Sequence, residues 1–158
     1  MSLLVLTALV VIADQVTKYL IRTNFSLHES VPIIENFFHF TYVSNDGMVF
    51  GINFPGAIYF STIASLILTG FLFWYFWRER KKSVLLRLSL ALIVAGAVGN
   101  LIDRILFREV VDFLDFIFWG WHFYIFNIAD SAVTVGISIY LIYIFFFESS
   151  DKIPESIS

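Results

Sequence analysis

Val110 to Thr134 reads VVDFLDFIFWGWHFYIFNIADSAVT, and the acids near its two ends decide how the whole chain is read. One end is Val-Val-Asp at Val110 to Asp112; the other, Phe-Asn-Ile-Ala-Asp-Ser at Phe126 to Ser131, leads into an apolar run. An acid at the head of a greasy helix is expensive, because burial disfavours its charged form. A second carboxylate nearby disfavours that form further, so a close pair tends to share one proton. Such a pair can activate water. The rest of the chain reads as a scaffold that brings Asp112 and Asp130 together, or as polar groups delivered to the same place.

The composition is that of a membrane protein. Of 158 residues, 59% are hydrophobic and only 15% charged, where a soluble domain is near half apolar and a quarter charged. The length suits one domain over residues 1–158. Without cysteine there is no disulfide framework, thiolate nucleophile or cysteine-ligated metal.

Four apolar runs approach the roughly 20 residues that cross a bilayer: Ser2 to Ile21, Ala57 to Trp77, Val84 to Phe107 and Ile128 to Phe147. The link after the second run, with the start of the third, holds Arg78, Arg80, Lys81, Lys82 and Arg87, whereas Thr23 to Gly56 has no lysine or arginine. By the positive-inside rule that link is expected in the cytoplasm, which puts both termini inside and the two longer connections outside. The predicted fold class is an all-α, four-helix membrane protein with a small outer β region over about residues 37–53. Phe37 to Val43 is aromatic and β-branched, and Asn45-Asp46-Gly47 is a turn signal ahead of Met48-Val49-Phe50.

The polar residues of the spans are placed unevenly. Asp14 and Lys18 are four apart in the first run and share a face, as an ion pair that lets both enter the membrane or as site residues. In the third, Gly96, Asn100, Asp103 and Arg104 follow a helical period on one face; Gly96 and Gly99 would let a neighbouring helix approach closely. In the fourth, Asn127, Asp130, Ser131, Thr134 and Ser138 form a polar stripe. With the amino terminus inside, Asp14, Asn100, Asp103, Arg104, Asn127, Asp130 and Ser131 fall toward the outer ends of their helices, and Asp112 lies on the outer connection between two of them. A conduit for ions or protons would instead spread polar residues through the membrane depth.

The chemistry available is narrow. His28, His39 and His122 lack metal-ligand spacing. Ser131 with Lys18 is a possible nucleophilic dyad only if the fold joins them. Two carboxylates, one the base on a water and the other the acid on a substrate carbonyl, make the simplest workable set, with Asp115 an alternative to Asp112. A small membrane protein whose buried acids bind or carry a cation or proton is the reading from another class.

Asp-Gln-Val-Thr-Lys at Asp14 to Lys18, Asn45 with Gly47 and Phe50, Gly-Asn-Leu-Ile-Asp-Arg at Gly99 to Arg104, Val-Val-Asp-Phe at Val110 to Phe113, and Phe-Asn-Ile-Ala-Asp-Ser at Phe126 to Ser131 resemble, in order, the blocks of the lipoprotein signal peptidase (signal peptidase II) family. The resemblance implies four membrane helices with an outer β-cradle and an aspartic endopeptidase of the bacterial inner membrane. The enzyme would remove the signal peptide from prolipoproteins just before a diacylglyceryl-modified cysteine. It implies Asp112 and Asp130 as the catalytic dyad. Asp14, Asn45, Asn100, Arg104 and Asn127 match the other polar site positions, and Gly96 and Gly99 match positions of close approach. Lys18, Asp103 and Ser131 are expected to support the same site. The implied partners are lipid-modified prolipoproteins and membrane lipid; no cofactor, metal or nucleic acid is expected, and the chain is expected to be monomeric. Met48-Val49 replaces the small Ala-Ala pair usual in the family, a departure that bears on substrate fit.

Overall fold

The computed structural model of the protein describes residues 3–46 and 55–147. In chain order the elements are α1 (Leu3–Asn24), β1 (Ser30–Ile34), β2 (Phe38–Asn45), α2 (Ala57–Arg78), α3 (Val84–Leu106), β3 (Val110–Phe118), β4 (Trp121–His122) and α4 (Ile128–Phe146). All four helices are long and apolar enough to cross a membrane, and their bounds lie within three residues of the predicted runs. The fold is thus a four-helix membrane bundle with a small antiparallel sheet, ordered β1-β2-β3-β4.

The third helix is the axis of the bundle. Its most apolar window is 56% buried, against 11 to 22% for the other three helices. Leu86, Leu90, Ala91 and Val94 of α3 pack with Phe76 of α2 and Tyr143 of α4. Small residues set how closely the helices approach. A Cβ on Gly96 would overlap the Ala129 carbonyl oxygen, and one on Gly136 would lie 2.7 Å from Ile93. The outward faces of α1, α2 and α4 carry exposed Leu9, Ile12, Ile63, Leu66, Ile142 and Phe145, as lipid-facing surfaces require.

The sheet caps the end of the bundle to which the polar residues were assigned. The strand expected over Phe37 to Val43 runs from Phe38 to Asn45, and it has an upstream hairpin partner that the sequence reading did not include. β1 pairs with β2 through a turn at Asn36, which takes a positive φ of 57°. Asn45 ends β2, opposite Val110; Gly47 and Met48-Val49-Phe50, the remainder of the expected turn and its second arm, lie outside the described residues. The segment read as a connecting loop around Asp112 is the strand β3, hydrogen-bonded to β2 on one side and β4 on the other. Its hairpin turns at Trp119 and Gly120, with φ of 51° and 82°. Two consecutive positive φ values give the turn a twist that suits its flanking strands.

Candidate active site

The base of the site is a buried ion cluster. Lys18 Nζ lies 2.9 Å from both Asp14 Oδ2 and Asp103 Oδ2, and donates to Asn100 Oδ1 at 2.9 Å. Asp14 and Asp103 are fully shielded and Lys18 is 1% exposed. Unpaired, any of these charges would be very costly here. Each acid also fixes a neighbouring element. Asp14 Oδ1 accepts from Ala129 N at 2.8 Å, satisfying one of the amides left free in the first turn of α4. Asp103 Oδ2 accepts from Val111 N at 3.5 Å, which ties the start of β3 to α3. Gln15 bridges the two acids, donating to Asp14 Oδ2 and Asp103 Oδ1. The i, i+4 pair read from sequence is therefore part of a triad that holds α1, α3, α4 and β3 in register.

Asp112 and Asp130 meet above this base. Asn127 caps α4: its side chain accepts from Asp130 N at 2.9 Å, while Asp130 Oδ2 accepts from Asn127 N at 3.3 Å. This reciprocal capping box orients the Asp130 carboxylate at the head of the helix. Asn127 Nδ2 also donates to Asp112 Oδ1 at 2.7 Å, and Asn100 Nδ2 donates to Asp130 Oδ1 at 2.7 Å. One asparagine thus joins both acids, and the other links Asp130 to Lys18.

The electrostatics follow from that placement. The carboxyl of Asp112 is pushed up to about 7, first by burial and then by the charge of Asp130; its bond from Asn127 and the charges of Lys18 and Arg104 pull the other way. Arg104 Nη1 donates to the Asn100 carbonyl at 3.3 Å, while its Nε is buried without a hydrogen-bond partner. Tyr124, which the sequence reading missed, has its hydroxyl pushed up by burial and then by the charges of Asp112 and Asp130, against a hydrogen bond with Asn45. Asn45 therefore reaches the site through Tyr124.

Asp115 and Ser131, the other candidates raised by the sequence, have partners elsewhere. Asp115 is fully buried, but it accepts from Thr41 at 2.7 Å and pairs with His122 Nδ1 at 2.9 Å, outside the Asn100 and Asn127 network. Three residues along a strand reverse the face, so Asp112 and Asp115 point to opposite sides of the sheet. Ser131 Oγ donates to the Asn127 carbonyl at 2.9 Å, and Lys18 has its three donors matched by Asp14, Asp103 and Asn100. Nothing remains on that lysine to activate a serine. Among the described residues, no group of three or more acids and histidines is disposed to hold a metal.

Asp130 lies where two apolar grooves meet. One, about 500 Å³, runs between α2, α3 and α4 past Leu68, Leu72, Ile93 and Ile137 and is also lined by Arg104. The other, about 530 Å³, lies between the N-terminal turns of α4 and the segment after β4, against Phe123, Tyr124 and Phe126. An extended chain or an acyl chain laid in either groove would come close to the carboxylates.

A family model for signal peptidase (SPase) II matches residues 6–146. The lipoprotein signal peptidase of Syntrophotalea carbinolica is 44% identical over 142 residues, covering 89% of this chain and 88% of that protein. That of Desulforapulum autotrophicum is 39% identical over 159 residues, covering 97% and 94%. A bacterial membrane enzyme structure solved by the in meso method superposes with a TM-score of 0.84 at 35% identity, covering 99% of this chain and 94% of its own. By these matches the chain belongs to the lipoprotein signal peptidase (signal peptidase II) family of membrane peptidases.

Proposed function

We propose that this membrane peptidase is an aspartic endopeptidase. It cuts the signal peptide from bacterial prolipoproteins on the N-terminal side of a diacylglyceryl-modified cysteine, with water as the nucleophile. The observation that carries the reading is the hydrogen bonding of Asp112 and Asp130 to the same residue, Asn127.

Two acids in mutual electrostatic reach, largely shielded from water, favour the state with one proton between them. In that state the ionised carboxylate takes a proton from a water lying between the pair, and the other acid gives its proton to the scissile carbonyl oxygen. The resulting gem-diol collapses with breakage of the C–N bond as the carboxyl that took the water proton gives it to the leaving nitrogen. The other, now ionised, takes a proton from a diol hydroxyl, which restores the single shared proton. No acyl-enzyme forms, and the chemistry calls on no cofactor. Asn100 and Asn127 hold the acids, Arg104 supplies positive charge beside them, and Asp14, Lys18 and Asp103 keep the supporting elements in place. Asn45 acts with Tyr124 on the substrate side, Gly96 lets α4 approach α3, and Gly99 leaves room for the Asp14 carboxylate of α1.

The basic link between α2 and α3 supports a topology with both termini in the cytoplasm under the positive-inside rule. The dyad then lies near the outer leaflet of the inner membrane, where a lipid-modified substrate arrives laterally. We take residues 1–158 as one peptidase domain acting as a monomer. The signal peptide would lie in one apolar groove as an added helix and the acyl chains in the other.

The test is incubation of purified protein in lipid with a prolipoprotein, with and without its diacylglyceryl group, followed by mass analysis of the products. The expected result is a product beginning at the modified cysteine, from the lipidated substrate only. Cleavage elsewhere, or equal cleavage of both forms, would overturn the assignment.

A further inference from the structure

At the end of the bundle opposite the carboxylates, a groove of about 440 Å³ lies between the start of α1, the end of α2 and the start of α3. Leu3, Leu4, Phe76, Trp77 and Val84 make it apolar, and Arg80 and Arg87 complete it. The two arginines are chained together: Arg87 Nη1 donates to the Arg80 carbonyl at 3.3 Å, and Arg80 Nη1 to the Trp77 carbonyl at 3.2 Å. The Arg80 guanidinium also sits 4.8 Å from the centre of the Trp77 ring.

The nearby acid is already engaged. Glu79 pairs with Lys82 at 2.9 Å and with Arg78 at 3.7 Å. Among the described residues neither Arg80 nor Arg87 has a carboxylate partner, and Arg87 Nε is buried without any hydrogen-bond partner. A partly desolvated guanidinium without a counter-charge is unfavourable. A phosphodiester would supply acceptors matched to the guanidinium fork. The walls add apolar surface beside the two arginines: Leu4, Trp77 and Val84 remain 48%, 52% and 65% exposed, a surface suited to acyl chains.

We propose that this groove is a binding site for an anionic phospholipid, its phosphate on Arg80 and Arg87 and its acyl chains along Leu3, Leu4, Phe76 and Val84. Basic pockets between membrane helices on the cytoplasmic side suit such headgroups. The site is separate from the carboxylate cluster, and the proposal does not depend on the peptidase mechanism.

Native mass spectrometry on detergent-solubilised protein, offered phosphatidylglycerol and phosphatidylcholine together, tests it. Wild type is expected to retain phosphatidylglycerol selectively, and inorganic phosphate alone is expected neither to displace it nor to raise the Tm. The Arg80→Gln/Arg87→Gln variant is expected to bind phosphatidylglycerol about 30-fold more weakly. Arg80→Gln alone, at the exposed end of the link and the variant to rely on if the double one does not fold, loses about fivefold. Lys81→Gln, a basic residue outside the groove, leaves binding unchanged. Wild type without headgroup preference, arginine variants that bind as wild type does, or an equal loss in Lys81→Gln would each overturn the proposal. Full displacement by inorganic phosphate would mean an anion site without lipid and would overturn it too.

Discussion

Gly96→Ala tests how the bundle holds Asp130 without touching a charged group. The added Cβ would overlap the Ala129 carbonyl oxygen and lie 2.6 Å from Val133 Cγ2, both on the first turns of α4. A backbone carbonyl cannot rotate away as a side chain would, so α3 and α4 must part by about 1 Å, at a cost of about 1–3 kcal/mol. Ala129 immediately precedes Asp130, and its amide is the one held by Asp14, so the shift reaches the carboxylate directly. A displacement of that size at a reacting group costs on the order of 100-fold in rate. Gly70→Ala in α2 is the internal control, because a Cβ there meets nothing within 4 Å. It is expected to leave cleavage unchanged and to raise stability by about 0.5–1 kcal/mol through helix propensity. The assay is the gel shift of a lipidated prolipoprotein at saturating substrate, with thermal unfolding of each variant. Gly96→Ala with wild-type kcat and Tm would refute the claim that close approach of α3 and α4 positions Asp130.

Three further outcomes follow from the same contacts. Asp112, held at about 7 against an ordinary 3.8, binds its proton more tightly in the folded than in the unfolded chain, so its contribution to stability is complete below about pH 4 and is lost as pH rises through about 7. Cleavage should fall over the same upper range as the pair loses its last proton; Asp112→Asn should flatten the stability profile, and a cleavage rate constant from about pH 6 to 9 would contradict the shared proton. Lys18→Met strands Asp14 and Asp103 without their cation and is expected to cost about 3–5 kcal/mol, read as loss of the monodisperse folded species in detergent, where an unchanged Tm would contradict the triad. Ser131→Ala and Asp115→Asn are expected to keep cleavage within a few-fold, with Asp115→Asn lowering Tm through its bonds to Thr41 and His122; an inactive but folded Ser131→Ala would revive a serine nucleophile.

The helices were legible because length and hydropathy leave few other outcomes for such runs, and the structure moves their ends by no more than three residues. The sheet was less legible. Val110 to Phe118 is rich in β-branched and aromatic residues, yet Asp112 and Asp115, three apart, break the period of two that marks a half-buried strand. Both acids are buried, on opposite faces, each met by polar partners that no local pattern announces. β1 is exposed along its whole length and contains Pro32, which suits an edge strand and leaves no hydrophobic alternation to read. On α3 the single polar face divides in three dimensions. Asp103 turns to Lys18 on α1, Arg104 lines the groove beside Asp130, and Asn100 bridges Lys18 and Asp130. Neighbouring residues on a helix point about 100° apart, enough to send Asp103 and Arg104 to different partners. Gln15 and Tyr124 went unnoticed because each gains its place from residues distant in sequence.

Cleavage of a diacylglyceryl-modified prolipoprotein by purified wild type, Asp112→Asn and Asp130→Asn, with the thermal stability of each, tests the central claim most directly. Wild type is expected to cut, while both variants fold and leave the substrate intact. A folded Asp112→Asn or Asp130→Asn that still releases the signal peptide would contradict the aspartic dyad.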